Sequence, residues 1–330
     1  MKILITGGSG FIGTNFVTEA LKKNHIVYNI DNLSLFSNDP NLSHPNYFFS
    51  KLDIKQENDV FEILDSFVPD KVINMAAESH VDKSISCPEI FLKTNVLGTY
   101  NLLQASLKFW NKTKNNFFCF HHVSTDEVFG SLSKNDQAFS ECSNYKPNSP
   151  YSASKAASDH LVRSWHKTYG LPISVTHCGN NFGPFQSPEK LIPLTIIKCL
   201  NNNKIPVYGN GKNIRDWIFV KDHVGALLKI MEKNIVNKNY VIGSRNEKTN
   251  IQVIKLICDV SNEYFNKKNE YYNLVTYVDD RLGHDHRYSI NPELIENEID
   301  WEPKKDFVNS IKETFMWYLK NKNWWKNLIN

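Results

Sequence analysis

A short apolar run, Ile3-Leu4-Ile5, stops at Thr6 and gives way to Gly7-Gly8-Ser9-Gly10-Phe11-Ile12-Gly13. Few architectures tolerate such a stretch: a strand must turn sharply into a helix whose first turn carries no side chain to block its N–H groups. The spacing reads as G-x-G-x-x-G from Gly8 or as G-x-x-G-x-x-G from Gly7. Either reading puts bare backbone where a pyrophosphate meets the positive end of a helix. Asp31 closes the next apolar run, Ile26 to Ile30, where a carboxylate can accept hydrogen bonds from the adenosine ribose hydroxyls. That carboxylate would repel a 2′-phosphate by about 4 kcal/mol at ~4 Å and an effective dielectric of ~20. The pattern therefore predicts NAD rather than NADP, with Gly7, Gly10, Phe11, Ile12, Gly13, Asp31 and Asn32 against it.

The first half of the chain alternates short β-branched runs with longer amphipathic segments. Strands are predicted at Lys2 to Thr6, Ile26 to Ile30, Tyr47 to Lys51, Lys71 to Met75, Phe117 to Val123 and Ile173 to His177. Helices are predicted at Phe11 to Lys23, Glu57 to Phe67, Ile90 to Trp110 and Tyr151 to Tyr169. This alternation is the pattern of parallel strands joined by crossover helices. Past about residue 180 it breaks into shorter units with proline and glycine turns, such as Gly183-Pro184 and Gly209-Asn210-Gly211. The predicted fold class is α/β, a Rossmann-type doubly wound parallel sheet over 1–180 with a smaller mixed α/β substrate-binding region over 181–330. A segment at about 215–245 is expected to return to the first domain. Asp53 and Ile54, closing the third strand, are placed to meet an adenine. Ala76-Ala77-Glu78, after the fourth, supplies small residues at the carboxyl edge where such sheets bind ligands.

Composition excludes several classes. At 330 residues, 41% hydrophobic and 22% charged, the chain is an ordinary globular one rather than a disordered one. Its formal charge of +3 supplies no broad cationic field for nucleic acid. The 6 cysteines are scattered, with no C-x-x-C pair, which suggests reduced thiols rather than a zinc or redox site. No apolar stretch approaches the ~18 residues of a membrane span, so neither nucleic acid nor membrane is an expected partner and a cytoplasmic location is expected. His284 and His286 lack a third ligand at sensible spacing, and no metal is predicted. Trp317, Trp324 and Trp325 read as the packing face of a C-terminal helix.

Tyr151 and Lys155 lie at i and i+4 on a predicted helix and so share one face. A phenol near pKa ~10 needs a depression of about three units, or ~4 kcal/mol, to act as a base near neutrality, and a nearby ammonium is one source of it. Upstream, Ser124-Thr125-Asp126-Glu127 leaves the end of the fifth strand and brings hydroxyls and two carboxyls to the same edge.

With these blocks in place, the chain resembles the extended short-chain dehydrogenase/reductases over nearly its whole length, and within them the nucleotide-sugar 4,6-dehydratases. The resemblance is carried by Gly7 to Gly13, Ala76 to Asp82, Ser124 to Gly130, Tyr151 to Lys155, Gly179 to Pro184, Arg215-Asp216-Trp217 and Arg281 to Tyr288. It implies a lyase that uses NAD to oxidise C4 of a dTDP- or UDP-glucose, eliminates water across C5 and C6, and returns the hydride to C6. The 4-keto-6-deoxy product would serve deoxysugar synthesis of the rhamnose type. By resemblance, Tyr151, helped by Thr125 and Lys155, takes the C4 hydroxyl proton, Glu127 takes the C5 proton, and Asp126 protonates the departing C6 hydroxyl. Ser79, Asn95 and Asn181 would lie near the cofactor with Tyr151 and Lys155. The sugar nucleotide would meet His80, Asp82, Thr125, Asn180, Lys190, Leu191, Arg215, Asn250, Arg281 and His284. The family also implies a homodimer built on the helices Ile90 to Trp110 and Tyr151 to Tyr169. Departures from its pattern are Gly179, Leu282, Phe129, Phe182 and Phe185, none of which removes a proposed catalytic group. A nucleotide-sugar 4-epimerase would share the glycine loop and the Tyr/Lys pair but has no use for Asp126-Glu127, and a silent NAD-binding scaffold would need neither pair.

Overall fold

The computed structural model describes residues 1–34, 37–38, 42–280 and 283–329. β1 (Lys2–Thr6) turns through the glycines into α1 (Phe11–Lys22), followed by β2 (Ile26–Asp31), β3 (Tyr47–Lys51), α2 (Glu57–Phe67) and β4 (Lys71–Asn74). Two short helices, α3 (Val81–Ser86) and α4 (Pro88–Phe91), run through a π-helical stretch at Leu92–Gly98 into α5 (Thr99–Thr113). β5 (Cys119–Thr125) ends in a 3-10 turn at Asp126–Phe129, and α6 (Pro150–Tyr169) leads to β6 (Ile173–Cys178). The rest is shorter-grained: β7 (Asn180–Phe182), α7 (Leu191–Leu200), β8 (Ile205–Tyr208), β9 (Ile214–Phe219), α8 (Val220–Glu232), β10 (Lys238–Ile242) and β11 (Glu247–Thr249). Then come α9 (Asn250–Phe265), β12 (Val275–Val278), α10 (Glu293–Ile299), α11 (Phe307–Lys320) and α12 (Lys322–Ile329).

Ile3, Leu4 and Ile5 are fully buried, as a strand covered on both faces must be. β1 stands inside a 7-stranded sheet of order β10-β6-β5-β4-β1-β2-β3, every neighbour parallel. Strand order reverses between β1 and β4, and the crevice above that switch point is where open α/β sheets hold ligands. One face is covered by α1 and α8 through Phe16, Val17, Val224 and Leu227. The other is covered by α2, α5 and α6 through Leu64, Leu102, Phe109 and Val162. A separate core, with Ile196, Ile254, Ile257 and Phe315, holds α7, α9 and α11 together. It sits beside a 3-stranded sheet, β11-β9-β7, and the β12-β8 pair.

Several predicted elements shift by one residue at an end, and two differ by more. The helix expected over Ile90 to Trp110 starts at Pro88, where proline suits a first helical turn, and passes through the π-helical stretch before α5. The strand expected from Phe117 begins at Cys119 and runs on to Thr125, delivering that hydroxyl to the sheet's carboxyl edge. The tryptophans pack as expected: Trp325 is buried, and Trp317 and Trp324 stack against Phe185. Trp324 Nε1 donates to Asn38 Oδ1 at 2.8 Å, and Asn38 donates to Ser9 O and to Thr14 Oγ1, so the last helix is tied to the glycine turn. No described helix is long and apolar enough to cross a membrane.

Candidate active site

The turn after β1 is held by close backbone packing. Gly7 has φ +74, and a Cβ there would lie 2.7 Å from Ala76 N. At Gly13 a Cβ would lie 2.1 Å from Gly7 O. α1 begins at Gly10 with no side-chain cap, which leaves its first N–H groups for a ligand. Asp31 closes β2 beside them. Its carboxylate accepts from Ser9 N (3.0 Å) and Leu33 N (2.8 Å), and burial pushes it above the usual carboxylate range against those bonds.

A cavity of about 470 Å³ opens above this turn. Gly7, Gly10, Phe11, Asp31, Asn32, Asp53, Ile54, Ala76, Ala77 and Ser79 line it, so most residues assigned to the cofactor share one wall. A bare helix N-terminus for a pyrophosphate and a carboxylate for a ribose fit a dinucleotide. The remaining residues lie elsewhere. Ile12 and Gly13 are not among the lining residues; Gly13 packs the helix against the turn. Asn95 is buried and grips the loop after β4, accepting from Glu78 N at 2.9 Å and donating to Glu78 O at 3.0 Å.

A second cleft of about 210 Å³ shares Ser79, His80, Gln186, Glu189 and Lys190 with the first. Its walls gather His80, Asp82, Asn180, Asn181, Lys190, Leu191, Arg215, Asn250 and His284, residues up to two hundred positions apart in sequence. Arg215 is not a surface ion pair. Its guanidinium is buried, lies over the Tyr288 ring at 4.3 Å, and donates to the carbonyls of Ile214 and Asp285. His284 Nδ1 meets Asp280 Oδ1 at 2.7 Å, and no group of metal-ligating side chains occurs among the described residues. Arg281 and Leu282 lie outside the described residues. Sequence reasoning did not single out Glu189 or Tyr208, which also line the cleft. His80 Nδ1 accepts from Lys83 N, so its Nε2 proton faces Glu189 Oε2 at 3.1 Å.

The catalytic candidates meet at the ends of β5 and α6. Ser149 caps α6 in a reciprocal capping box with Ser152, and Pro150 fills the first turn. This start sets Tyr151, Lys155 and Asp159 in one stripe that is buried although polar. Thr125 Oγ1 donates to Asp126 Oδ1 and accepts from Glu127 N, both at 3.3 Å. Asp126 is 1% exposed, and its Oδ2 has no hydrogen-bond partner among the described residues. Burial, then the charges of Glu127 and Asp216, hold its carboxyl well above the usual range, which favours the protonated form. Glu127, by contrast, faces the cleft. Thr125, like Asp126 and Tyr151, is buried rather than lining the cleft.

Lys155 Nζ donates to Val123 O at 2.8 Å. Burial and the nearby Glu127 charge push the Tyr151 phenol well above its ordinary value, with a hydrogen bond to Thr125 acting the other way. Desolvation outweighs that hydrogen bond.

The profile of the GDP-mannose 4,6 dehydratase family matches residues 4–314. A dTDP-glucose 4,6-dehydratase of Neisseria meningitidis is 44% identical, covering 100% of this chain and 96% of its own. Among solved structures, the dTDP-glucose 4,6-dehydratase of Bacillus anthracis in complex with NAD is 41% identical, with a TM-score of 0.88 and 99% of each chain covered. That of Streptomyces venezuelae, also with NAD bound, is 36% identical with a TM-score of 0.90, covering 99% of this chain and 100% of its own.

Proposed function

The chain belongs to the GDP-mannose 4,6-dehydratase family, and from that membership we propose that it is an NAD-dependent lyase converting dTDP-glucose to its 4-keto-6-deoxy derivative. Of the two nucleotides that the sequence leaves open, thymidine is favoured by the relatives' own substrate. The observation that carries the reading is Asp126 beside Glu127: a buried carboxyl that favours its protonated form and a cleft-facing one at successive positions. Elimination needs one acid and one base at adjacent carbons, whereas epimerisation needs neither.

Bound NAD would supply a hydride acceptor at C4 and a hydride donor at C6. Tyr151 accepts the C4 hydroxyl proton, with Thr125 hydrogen-bonded to the phenol and Lys155 supplying positive charge nearby. The C4 ketone acidifies C5, Glu127 removes that proton while Asp126 gives its own to the departing C6 hydroxyl, and Glu127 returns its proton to C5 as C6 is reduced. Gly7, Gly10 and Asp31 hold the pyrophosphate and ribose of the cofactor; Arg215, Lys190 and Asn250 hold the nucleotide of the substrate. The N-terminal sheet is thus the cofactor domain, and the lobe built from β7 onward holds the sugar nucleotide. A cytoplasmic location, where NAD and sugar nucleotides meet, fits free cysteines of which Cys119, Cys178, Cys199 and Cys258 are buried. The protein acts as a homodimer through the apolar face spanning the π-helical stretch, α5 and α6.

The test is incubation of the purified protein and NAD with dTDP-glucose, UDP-glucose and GDP-mannose, reading products by mass spectrometry. Loss of one water from dTDP-glucose is expected, with deuterium at C4 of the substrate recovered at C6. No dehydrated product from any of the three overturns the reading; a C4 epimer without water loss replaces it with an epimerase.

A further inference from the structure

We propose that Asp159 is a positioning residue for Lys155, an inference that rests on the dehydratase reading: its buried carboxylate keeps the buried lysine charged. Asp159 stands one helical turn beyond Lys155 and two beyond Tyr151 on the buried stripe of α6. Its side chain is fully buried. Oδ2 accepts from Ser124 Oγ at 2.9 Å and from Tyr145 OH at 3.2 Å, and lies 3.0 Å from His177 Nε2. Oδ1 makes no aligned hydrogen bond. His122 Nε2 lies 3.3 Å from that oxygen and 3.4 Å from Lys155 Nζ, so the imidazole stands between the carboxylate and the ammonium.

The proton on that ring can be assigned from the network. Asn74 Oδ1 takes the Thr6 hydroxyl at 2.8 Å, so Asn74 Nδ2 is the donor to His122 Nδ1 at 3.2 Å. His122 then carries its proton on Nε2, toward Asp159. Burial, then the nearby ammonium, lowers His122 to about 4, so the ring is neutral. The other titratable groups around the pair are Tyr151 on α6, His177 and Cys178 on β6, and Tyr145 on the segment before α6, with His160 stacked on the Tyr145 ring. Cys178 is pushed up to about 12 by burial, and Tyr145 is also raised by it. Neither is an anion near neutrality. Burial alone would neutralise Asp159, but the imidazoles of His177 and His122 more than offset it and the carboxyl stays ionised. Asp159 is thus the anion that faces the buried Lys155, and a desolvated ammonium without one gives up its proton readily. None of these groups other than Lys155 and Tyr151 lies within the reacting set, so Asp159 acts through the lysine.

The experiment follows Lys155 directly in the NAD-loaded protein without substrate, by ¹⁵Nζ-lysine NMR, with its signal assigned by loss in Lys155→Met. Asp159→Asn keeps shape and removes charge: the Lys155 titration midpoint is expected to fall. The alkaline limb of kcat for dTDP-glucose is expected to move to lower pH by the same interval, costing about tenfold in rate per unit moved, with KM unchanged. Tyr145→Phe, which removes one hydrogen bond and no charge, is expected to leave both in place. A folded Asp159→Asn protein with an unmoved midpoint and an unmoved pH profile overturns the proposal. Should that variant not fold, the wild type decides: a neutral Lys155 amine at the pH of turnover overturns it, and an ammonium supports it. Failure of the wild type to dehydrate any sugar nucleotide would sink the dehydratase reading and leave the lysine titration as a separate result.

Discussion

Asp126 and Glu127 are chain neighbours, yet the 3-10 turn points one into the protein and the other into the cleft. The buried carboxyl favours its protonated form because ionising it beside Glu127 and Asp216, with one oxygen unpartnered, is unfavourable. The sign of the linkage follows. A carboxyl with a raised folded value binds a proton that the unfolded chain has released, so its contribution is full at low pH. That contribution is lost as pH rises from the unfolded value of 3.8 through the raised one. Asp126→Asn cannot titrate. It is therefore expected to unfold at a higher temperature than the wild type near neutral pH and to lose the wild type's decline in stability across that range. It has no proton to give the leaving hydroxyl, so its turnover is expected to fall by about 10²- to 10⁴-fold. Thermal unfolding across a pH series together with steady-state rates checks both signs; a variant that is less stable and equally active would contradict the assignment of Asp126 as the proton donor.

Among the elements, β1, the glycine turn and α1 were legible because each leaves a local mark: an apolar run, spaced glycines, then amphipathic period. α6 was legible for the same reason, from Tyr151 and Lys155 one turn apart. The π-helical stretch at Leu92–Gly98 was not, since one wide turn shifts the apolar stripe too little to break a helical reading; Gly98 closes it where a Cβ would lie 2.7 Å from Ile54 Cδ1. Short strands such as β7 and β11, at 3 residues each, carry no readable alternation. Glu189, Tyr208 and the partners of Asp159 are brought to the site by contacts between distant segments, which no spacing records. The glycine turn also separates two roles that its motif merges. Gly13→Ala places a methyl against backbone, 2.1 Å from Gly7 O and 2.7 Å from Gly8 Cα, and is expected to cost about 1–3 kcal/mol of stability. Gly10→Ala meets nothing closer than Gly7 O at 3.3 Å, yet Gly10 lines the cofactor cavity, so that variant should fold normally and bind NAD weakly. Denaturant unfolding and calorimetric NAD titration separate the two; the reverse pattern would remove Gly13 from its packing role.

At the scale of the whole molecule, the surface is uneven. Both cofactor and substrate clefts open at the sheet's carboxyl edge, and the aromatic C-terminus is folded back toward the glycine turn through Trp324 and Asn38. α5 and α6 pack against each other on one face of the sheet, and some large apolar side chains stay exposed there among polar ones such as Arg163 and Lys167. Leu97 is 54% and Tyr169 52% exposed. Tyr100 and Tyr169 both stack edge-on against Trp165, at 5.7 Å and 5.5 Å, which joins the two helices into one aromatic strip. Leu92 and Ile90 extend it toward α4. An apolar strip of this kind is unfavourable in water and is expected to be covered by a partner. A two-fold axis would seat the strip on its own copy, because a dimer interface is the same patch on both partners. Leu97→Glu places a carboxylate in that strip on each protomer, where desolvation and the repulsion of two like charges near the axis both oppose association. The wild type is expected to scatter light as a dimer at micromolar concentration and Leu97→Glu as a monomer with an unchanged far-ultraviolet spectrum. Because Leu97 lines neither cleft, the variant's NAD affinity should hold. A wild type that is monomeric across that concentration range would assign the strip to some other contact.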